Sequence, residues 1–190
     1  MSDYTIHTAA TAPEGAREAL DGVQKQFGFV PNLMGVMAEA PSALKAYLNL
    51  MQLLGETSFS PIQEQVVALA VSHTNACTYC MSSHSAVAKS VGMSDEDLKA
   101  LRHGGPLKDT ALEALRAFTV AVVETRGWVS PEARLAFFEA GYTRTHVLEV
   151  LVGVTMKTLS NYVNHTADTP LDPQFAPFAW TPAEASIDAA

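Results

Sequence analysis

The sequence predicts an all-α protein, built as a helical bundle with an extended C-terminal arm. Three observations support this prediction: apolar residues recur at helical spacing along most of the chain, Ser and Pro mark the starts of segments, and Gly marks their ends. No segment alternates apolar and polar residues as a half-buried strand would. We expect the 190 residues to form one helical domain over residues 1–166 and a proline-rich arm over residues 167–190.

The first predicted helices lie between residues 14 and 54. Residues 14–27 form an amphipathic segment that Gly28 ends, since glycine readily adopts the left-handed conformation after a helix. Pro31 restricts the residue before it, which predicts a turn here. Residues 41–54 begin with proline, which is favoured at the first helical position. This segment is therefore predicted to be the second helix.

The next two predicted helices flank the most informative part of the sequence. Ser60 followed by proline is a strong helix start, because the serine side chain can cap the backbone and proline needs no hydrogen-bond acceptor. The pattern then continues to residue 74. We expect a break there, with Asn75 as the N-cap of a new helix over residues 77–91.

Four more helices complete the predicted bundle. Ser94 is predicted to cap the first of them. Acidic residues follow it, and the partial positive charge at the start of a helix stabilises acidic side chains there. Gly127 ends the second, and Ser130 with a following proline begins the third. The predicted helices span residues 95–102, 108–126, 131–140 and 143–166.

The arm contains four prolines, together with Phe175, Phe178 and Trp180. Prolines at this density exclude regular secondary structure, but large aromatic side chains are costly to leave in water. We therefore expect an extended arm that lies on the body of the protein or on a neighbouring subunit. The last six or so residues are expected to be disordered.

Composition excludes several classes of function. The 12 basic and 20 acidic residues give a net charge of −8, which disfavours both nucleic acids and anionic membranes as partners. No apolar run approaches the roughly 20 residues of a membrane helix, and no secretory signal is apparent. Two cysteines do not make a disulfide-stapled scaffold. These features predict a cytoplasmic protein.

Both cysteines lie in the segment His73-x3-Cys77-x2-Cys80-x3-His84. Four such donors suggest zinc, but along one helix the two histidines would be about 16 Å apart at 1.5 Å per residue. A tetrahedral site brings every donor within about 2.3 Å of one ion. We therefore expect no metal and no organic cofactor.

Thiol chemistry fits this spacing better. Residues three apart in a first helical turn lie within the distance range that a disulfide accepts. Backbone N–H groups at the start of a helix stabilise a thiolate there. His84 follows Cys80 by one turn and can exchange a proton with it. Without redox chemistry, the motif would be two buried cysteines and a surface histidine.

Residues 60–101, SPIQEQVVALAVSHTNACTYCMSSHSAVAKSVGMSDEDLKAL, resemble the AhpD-like alkylhydroperoxidases of the carboxymuconolactone decarboxylase superfamily. Residues 158–172 resemble, more weakly, the end of its peroxidase-related members. The resemblance implies an all-α AhpD-like bundle that assembles as a dimer, trimer or hexamer. It also implies an antioxidant peroxidase with a redox-active disulfide.

The resemblance assigns Cys80 as the thiol that attacks peroxide, Cys77 as its resolving partner and His84 as the proton relay. The helix dipole alone would instead favour Cys77 as the more acidic thiol. The family's relay carboxylate corresponds to Gln65, which can hold His84 by a hydrogen bond but cannot accept a proton. Glu64 is the nearest acid, about 100° away around the helix.

The sequence thus predicts a thiol-dependent hydroperoxide reductase that is recharged by a thiol reductant, either a protein or a small thiol. Two alternatives remain: a lyase or isomerase of the decarboxylase type, and a non-catalytic redox-sensing or assembly protein. Asn161, Asn164 and His165 share a face of the last helix. They either line a pocket near the cysteines or cap the incoming arm.

Overall fold

The computed structural model describes residues 3–182, and within them it confirms the all-α fold. The helices are α1 (Glu14–Phe27), α2 (Asn32–Met37), α3 (Pro41–Gly55), α4 (Pro61–Thr74), α5 (Thr78–Ser90), α6 (Asp95–His103), α7 (Thr110–Glu124), α8 (Pro131–Glu139), α9 (Arg144–Ala167) and a short 3₁₀ helix, Pro173–Phe178. None of the described helices is both long and apolar enough to cross a bilayer.

The predicted serine caps are confirmed. Ser60 accepts a hydrogen bond from the Gln63 backbone, and the Gln63 side chain accepts one in return from the Ser60 backbone. Ser94 and Ser130 each accept a hydrogen bond from the backbone N–H three residues later. These caps satisfy donors that a helix start would otherwise leave unpaired.

Helix α4 is the centre of the bundle and packs against α5, α7 and α9. Its Val66, Val67 and Leu69 are fully buried. α9 comes unusually close to α4, because a Cβ on Gly153 would lie only 2.7 Å from the Val67 side chain. This close approach places the buried face of α9 beside the start of α5.

The junction between α4 and α5 corrects the predicted cap. Asn75 ends α4 instead of starting α5, and Cys77 is the N-cap of α5. The turn forms because Ala76 adopts φ +52°, which lets Ala76 N–H donate to His73 O and Cys77 N–H donate to Ser72 O. This is the hydrogen-bond pattern of a Schellman motif, usually built on glycine.

Helix α2 was predicted as part of a turn. Pro31 does precede the helix as its N-cap, but residues 32–37 then form a short helix. Leu33, Met34 and Met37 of this helix are buried in the core. Burial of these apolar side chains in the core therefore stabilises a short helix that no local sequence signal predicts.

Over the residues that the structure describes, the arm lies on the body of its own chain. This is one of the two arrangements that the sequence predicted. Trp180 is 3% exposed and its indole N–H donates to Arg102 O, while the Arg102 guanidinium donates to Phe178 O and Ala179 O. Contrary to prediction, residues 173–178 form a short 3₁₀ helix, with Pro173 at its start and Pro177 inside it. The expected disorder of the last residues falls outside residues 3–182.

Replacing Ala76 by glycine should stabilise the protein by about 0.5–1 kcal/mol, because a non-glycine residue in the left-handed region is strained. Urea denaturation would measure the free energy of unfolding. The matched control is Ala136→Gly in the exposed face of α8, which should lose about 1 kcal/mol because glycine disfavours a helix interior. Destabilisation by both variants would contradict the assigned strain.

Candidate functional site

The two cysteines lie at the start of α5, with Cys77 as the N-cap and Cys80 in the first turn. Both are free thiols in the structure, and each is 1% exposed. Their sulfurs face the same group: Asn164 Nδ2 of α9 lies 3.3 Å from Cys80 Sγ and 3.8 Å from Cys77 Sγ. The predicted pairing of these cysteines at a helix start is therefore compatible with the geometry.

A polar stripe on α9 covers the sulfurs. We define it as Lys157, Ser160, Asn161 and Asn164, which helical spacing places on one face. All four are buried. Ser160 Oγ lies 3.6 Å from Cys80 Sγ and donates a hydrogen bond to Lys157 O. Within the stripe, Asn161 holds the α4–α5 junction by accepting a hydrogen bond from Asn75.

Lys157 has no exposed surface, and its Nζ makes no hydrogen bond of regular geometry with any described residue. The groups that feel its charge are Cys80 and Cys77 of α5, Tyr47 of α3 and the His84 ring. None of these is a carboxylate. A sulfur anion is therefore the natural counter-charge for this buried ammonium.

The environment separates the two thiols in acidity. Burial opposes ionisation of Cys80, but the Cys77 thiol, the Lys157 ammonium and Ser160 together hold its pKa well below the usual value. The hydrogen bond of Cys77 to Cys80, together with burial, raises the pKa of Cys77. The local charges thus oppose the preference that the helix dipole alone would give, and they make Cys80 the more acidic thiol.

His84 is partly buried, and its Nδ1 lies 2.8 Å from Gln65 Oε1. An amide oxygen only accepts hydrogen bonds, so Nδ1 carries the hydrogen and Nε2 keeps its lone pair. Burial, and then the charge of Lys157, lower the pKa of His84 well below the usual value. The ring is therefore neutral near neutral pH and can accept a proton.

Glu64 does not replace the missing relay carboxylate. The His84 ring meets Gln65, while Glu64 is half-buried on a neighbouring face of α4, where burial raises its pKa. Of the two arrangements that the sequence left open, the structure contains the glutamine one. Among the residues that the structure describes, no carboxylate hydrogen-bonds to this imidazole to stabilise its charged form.

The other candidates lie apart from the sulfurs or serve the arm. His73 packs against Trp180, and among the described residues no three His, Cys, Asp or Glu side chains converge on a possible metal position. His165 is exposed. The Tyr79 hydroxyl donates to Asp172 of the arm and accepts from Leu33 N–H. Tyr79 therefore joins the redox helix to the arm.

Sequence reasoning missed Lys157, Ser160 and Tyr47. One signal was available: between residues 150 and 167, Lys157 is the single Asp, Glu, Lys or Arg residue. A lone charge in a long apolar helix calls for a buried partner. The spacing of Ser160 and Asn164 from Lys157 would then have indicated one polar face.

Comparisons with known proteins agree with this fold. The chain has 20% identity and a TM-score of 0.79 to the alkylhydroperoxidase AhpD core of an uncharacterized peroxidase-related protein from Ralstonia eutropha JMP134, over 92% of this chain and 94% of that one. A peroxidase-related protein from Silicibacter sp. TM1040 gives 18% identity and 0.77, over 91% and 94%. The debrominase Bmp8, solved as a cysteine-to-alanine variant with 2,3,4-tribromopyrrole, gives 18% and 0.77, over 94% and 96%. These likenesses define an AhpD-like helical fold.

The family model of the carboxymuconolactone decarboxylase family matches residues 41–123. This match agrees with the resemblance seen in the sequence, and the solved structures agree with it in fold. No curated protein matches the chain in sequence.

Ionisation of Cys80 can be tested directly. We expect one thiolate per chain at neutral pH, because the pKa of Cys80 is lowered and that of Cys77 is raised. Titration of the ultraviolet thiolate absorbance should show this signal persisting below the ordinary thiol pKa of about 8.5 and disappearing as the pH falls further. Cys77→Ser should retain the signal and Cys80→Ser should lose it. The opposite pattern would contradict the assignment.

Replacing Gln65 by glutamate should raise the pKa of His84, because a carboxylate beside Nδ1 stabilises the imidazolium. NMR titration of the ring would measure the shift. The imidazole then becomes neutral only at higher pH, so any activity that needs it as a base should begin at higher pH. Glu64→Gln is the control and should leave the titration of His84 unchanged. An equal shift in both variants would contradict the observed pairing.

Proposed function

We propose that this protein is a thiol-dependent hydroperoxide reductase. The observation that carries the proposal is the buried Cys80 sulfur, held beside a second thiol, an amide donor and a lysine. A thiolate is the nucleophilic form of cysteine, and this arrangement provides one at neutral pH. The family match supports the same class of chemistry.

The reaction takes two steps on the protein. The Cys80 thiolate attacks the outer oxygen of a hydroperoxide, the O–O bond breaks, and Cys80 becomes a sulfenic acid while the protonated leaving oxygen departs as an alcohol. The Cys77 thiol then attacks that sulfur, and its proton leaves with the hydroxyl as water. A Cys77–Cys80 disulfide results. Two thiols of a reductant restore the pair by exchange.

Apolar surroundings favour an organic hydroperoxide over hydrogen peroxide. The cysteines belong to a core cluster with Leu33, Met34 and Met156. An apolar cleft of about 340 Å³ lies between α2 and α9, lined by residues such as Met37 and Leu159. Cys77, Cys80 and His84 are not among the residues that line this cleft, so the preference for an organic hydroperoxide rests on the core cluster alone.

The reductant and the assembly remain predictions. Leu148, Leu151 and Tyr162 are exposed along α9, which supports the predicted homo-oligomer because large apolar side chains gather at interfaces. Sedimentation analysis would measure its size.

Cysteine variants test the proposed reaction. With an organic hydroperoxide and excess dithiothreitol, Cys80→Ser should lose turnover by a factor of about 1,000 or more, because the pKa of the remaining thiol, Cys77, is raised. Without dithiothreitol, Cys77→Ser should consume one peroxide per chain and accumulate a sulfenic acid, which dimedone labelling and mass spectrometry detect. Full turnover by Cys80→Ser would overturn the proposal.

The same variants separate the alternatives. A lyase or isomerase of the decarboxylase type should retain its activity after both cysteines are replaced by serine. A redox sensor should form the disulfide without turnover above that of free dithiol. Because a debrominase shares the fold, a bromopyrrole should be assayed beside the hydroperoxide. Bromide release that depends on Cys80, without peroxide turnover, would favour dehalogenation.

A further inference from the structure

Lys157 poses a charge problem that the two cysteines alone do not solve. Its ammonium is fully buried, and the titratable groups that act on its pKa, Cys80, Tyr47 and Cys77, are all neutral when protonated. The His84 ring, which its charge also affects, is neutral or positive and never an anion. A buried ammonium without an anion is strongly unfavourable and tends to lose its proton. The charge of Lys157 therefore depends on the charge of Cys80.

Oxidation removes that anion. In the reduced protein, burial opposes both charges, but the Lys157 ammonium favours the Cys80 thiolate, and that thiolate in turn raises the pKa of Lys157. After a sulfenic acid or a disulfide forms, the sulfur is neutral and the ammonium has no counter-charge among the described residues. Loss of one proton from Lys157 restores neutrality in the same step.

We propose that Lys157 is the acid that protonates the leaving oxygen of the hydroperoxide, and that it is charged only while Cys80 is a thiolate. This inference rests on the proposed peroxidase function. The step balances: thiolate, ammonium and ROOH give the sulfenic acid, the neutral amine and ROH. Reaction with Cys77 then gives the disulfide and water. Reduction of the disulfide by a dithiol returns the proton to Lys157.

His84 is poorly suited to the same task. Its Nδ1 hydrogen is held by Gln65, and the ring faces the positive charge of Lys157. A neutral imidazole accepts a proton more readily than it donates one, and the absence of a relay carboxylate keeps it neutral. A lysine acid would therefore explain how the site functions with glutamine at position 65.

The first test counts the protons released on oxidation. The equilibrium constant for disulfide exchange with dithiothreitol is measured at several pH values near neutrality. In this range dithiothreitol releases two protons when it is oxidised. If Cys77 and Lys157 each release one, the equilibrium constant does not vary with pH. If Lys157 stays charged, the constant changes tenfold per pH unit.

Lys157→Arg is the matched variant, because arginine keeps its charge in both states. The equilibrium constant of this variant should change tenfold per pH unit, while that of the parent should not vary with pH. The parent should also show the ultraviolet absorbance of the Cys80 thiolate. A tenfold change per pH unit in the parent would overturn the proposal. So would a parent without thiolate absorbance. Should the arginine variant not fold, these two results in the parent still decide.

The second test separates acid catalysis from thiolate formation. Single-turnover oxidation of the protein is measured with two oxidants. The leaving group of cumene hydroperoxide is an alkoxide, which leaves poorly unless it is protonated, whereas the leaving group of peracetic acid is acetate, which leaves readily. Rates are divided by the measured thiolate fraction. Lys157→Met should lose about 100-fold with cumene hydroperoxide and far less with peracetic acid.

Lys25→Met, at an exposed lysine of α1, is the control and should react like the parent with both oxidants. Circular dichroism would establish that Lys157→Met folds, since exchanging a buried charge for a side chain of similar shape is commonly tolerated. Equal losses with both oxidants would overturn the acid role. A parent that reduces neither peroxide would instead refute the proposed function, while the proton count would still report on Lys157.

Discussion

A buried sulfur anion needs compensating charge and hydrogen-bond donors, and this requirement organises the structure around Cys80. Water cannot supply them, because the sulfur is almost completely covered. The polar stripe of α9 supplies them instead, with Lys157 for charge and with Asn164 as a donor to both sulfurs. Burying the polar stripe costs free energy, and the interactions between the stripe and the two sulfurs of α5 offset that cost. Fold and chemistry therefore depend on the same contact.

Local backbone conformation makes this contact possible. A continuous helix from α4 into α5 would carry the cysteines past the stripe. The left-handed Ala76 ends α4 abruptly and allows Cys77 to begin a new helix in a different direction. On the other side, Gly153 lets α9 approach the central helix closely. One strained residue and one residue without a side chain thus set the separation between nucleophile and stripe.

Local signals in the sequence predicted much of this, and long-range contacts account for the rest. Capping serines, glycine stops and the Cys77-x2-Cys80 spacing are local, so the helices of the bundle and the cysteine pair could be found. Asn75 was misassigned because either end of a helix accepts asparagine, and only its bond to Asn161 decides. Lys157 lies 77 residues from Cys80, and no spacing rule connects residues so distant in sequence.

The hydroxyl of Tyr79 ties the arm to the turn of helix that holds both sulfurs. Asp172 accepts its hydrogen bond and also accepts from the Asn32 backbone, so one carboxylate joins α5, α2 and the arm. The start of the C-terminal arm is therefore held against the helix that carries both cysteines, although the composition of the arm resembles a dispensable tail. Trimming the chain before Asp172 would leave a buried phenol without its acceptor, and would alter the chemistry of a region that appears remote in sequence.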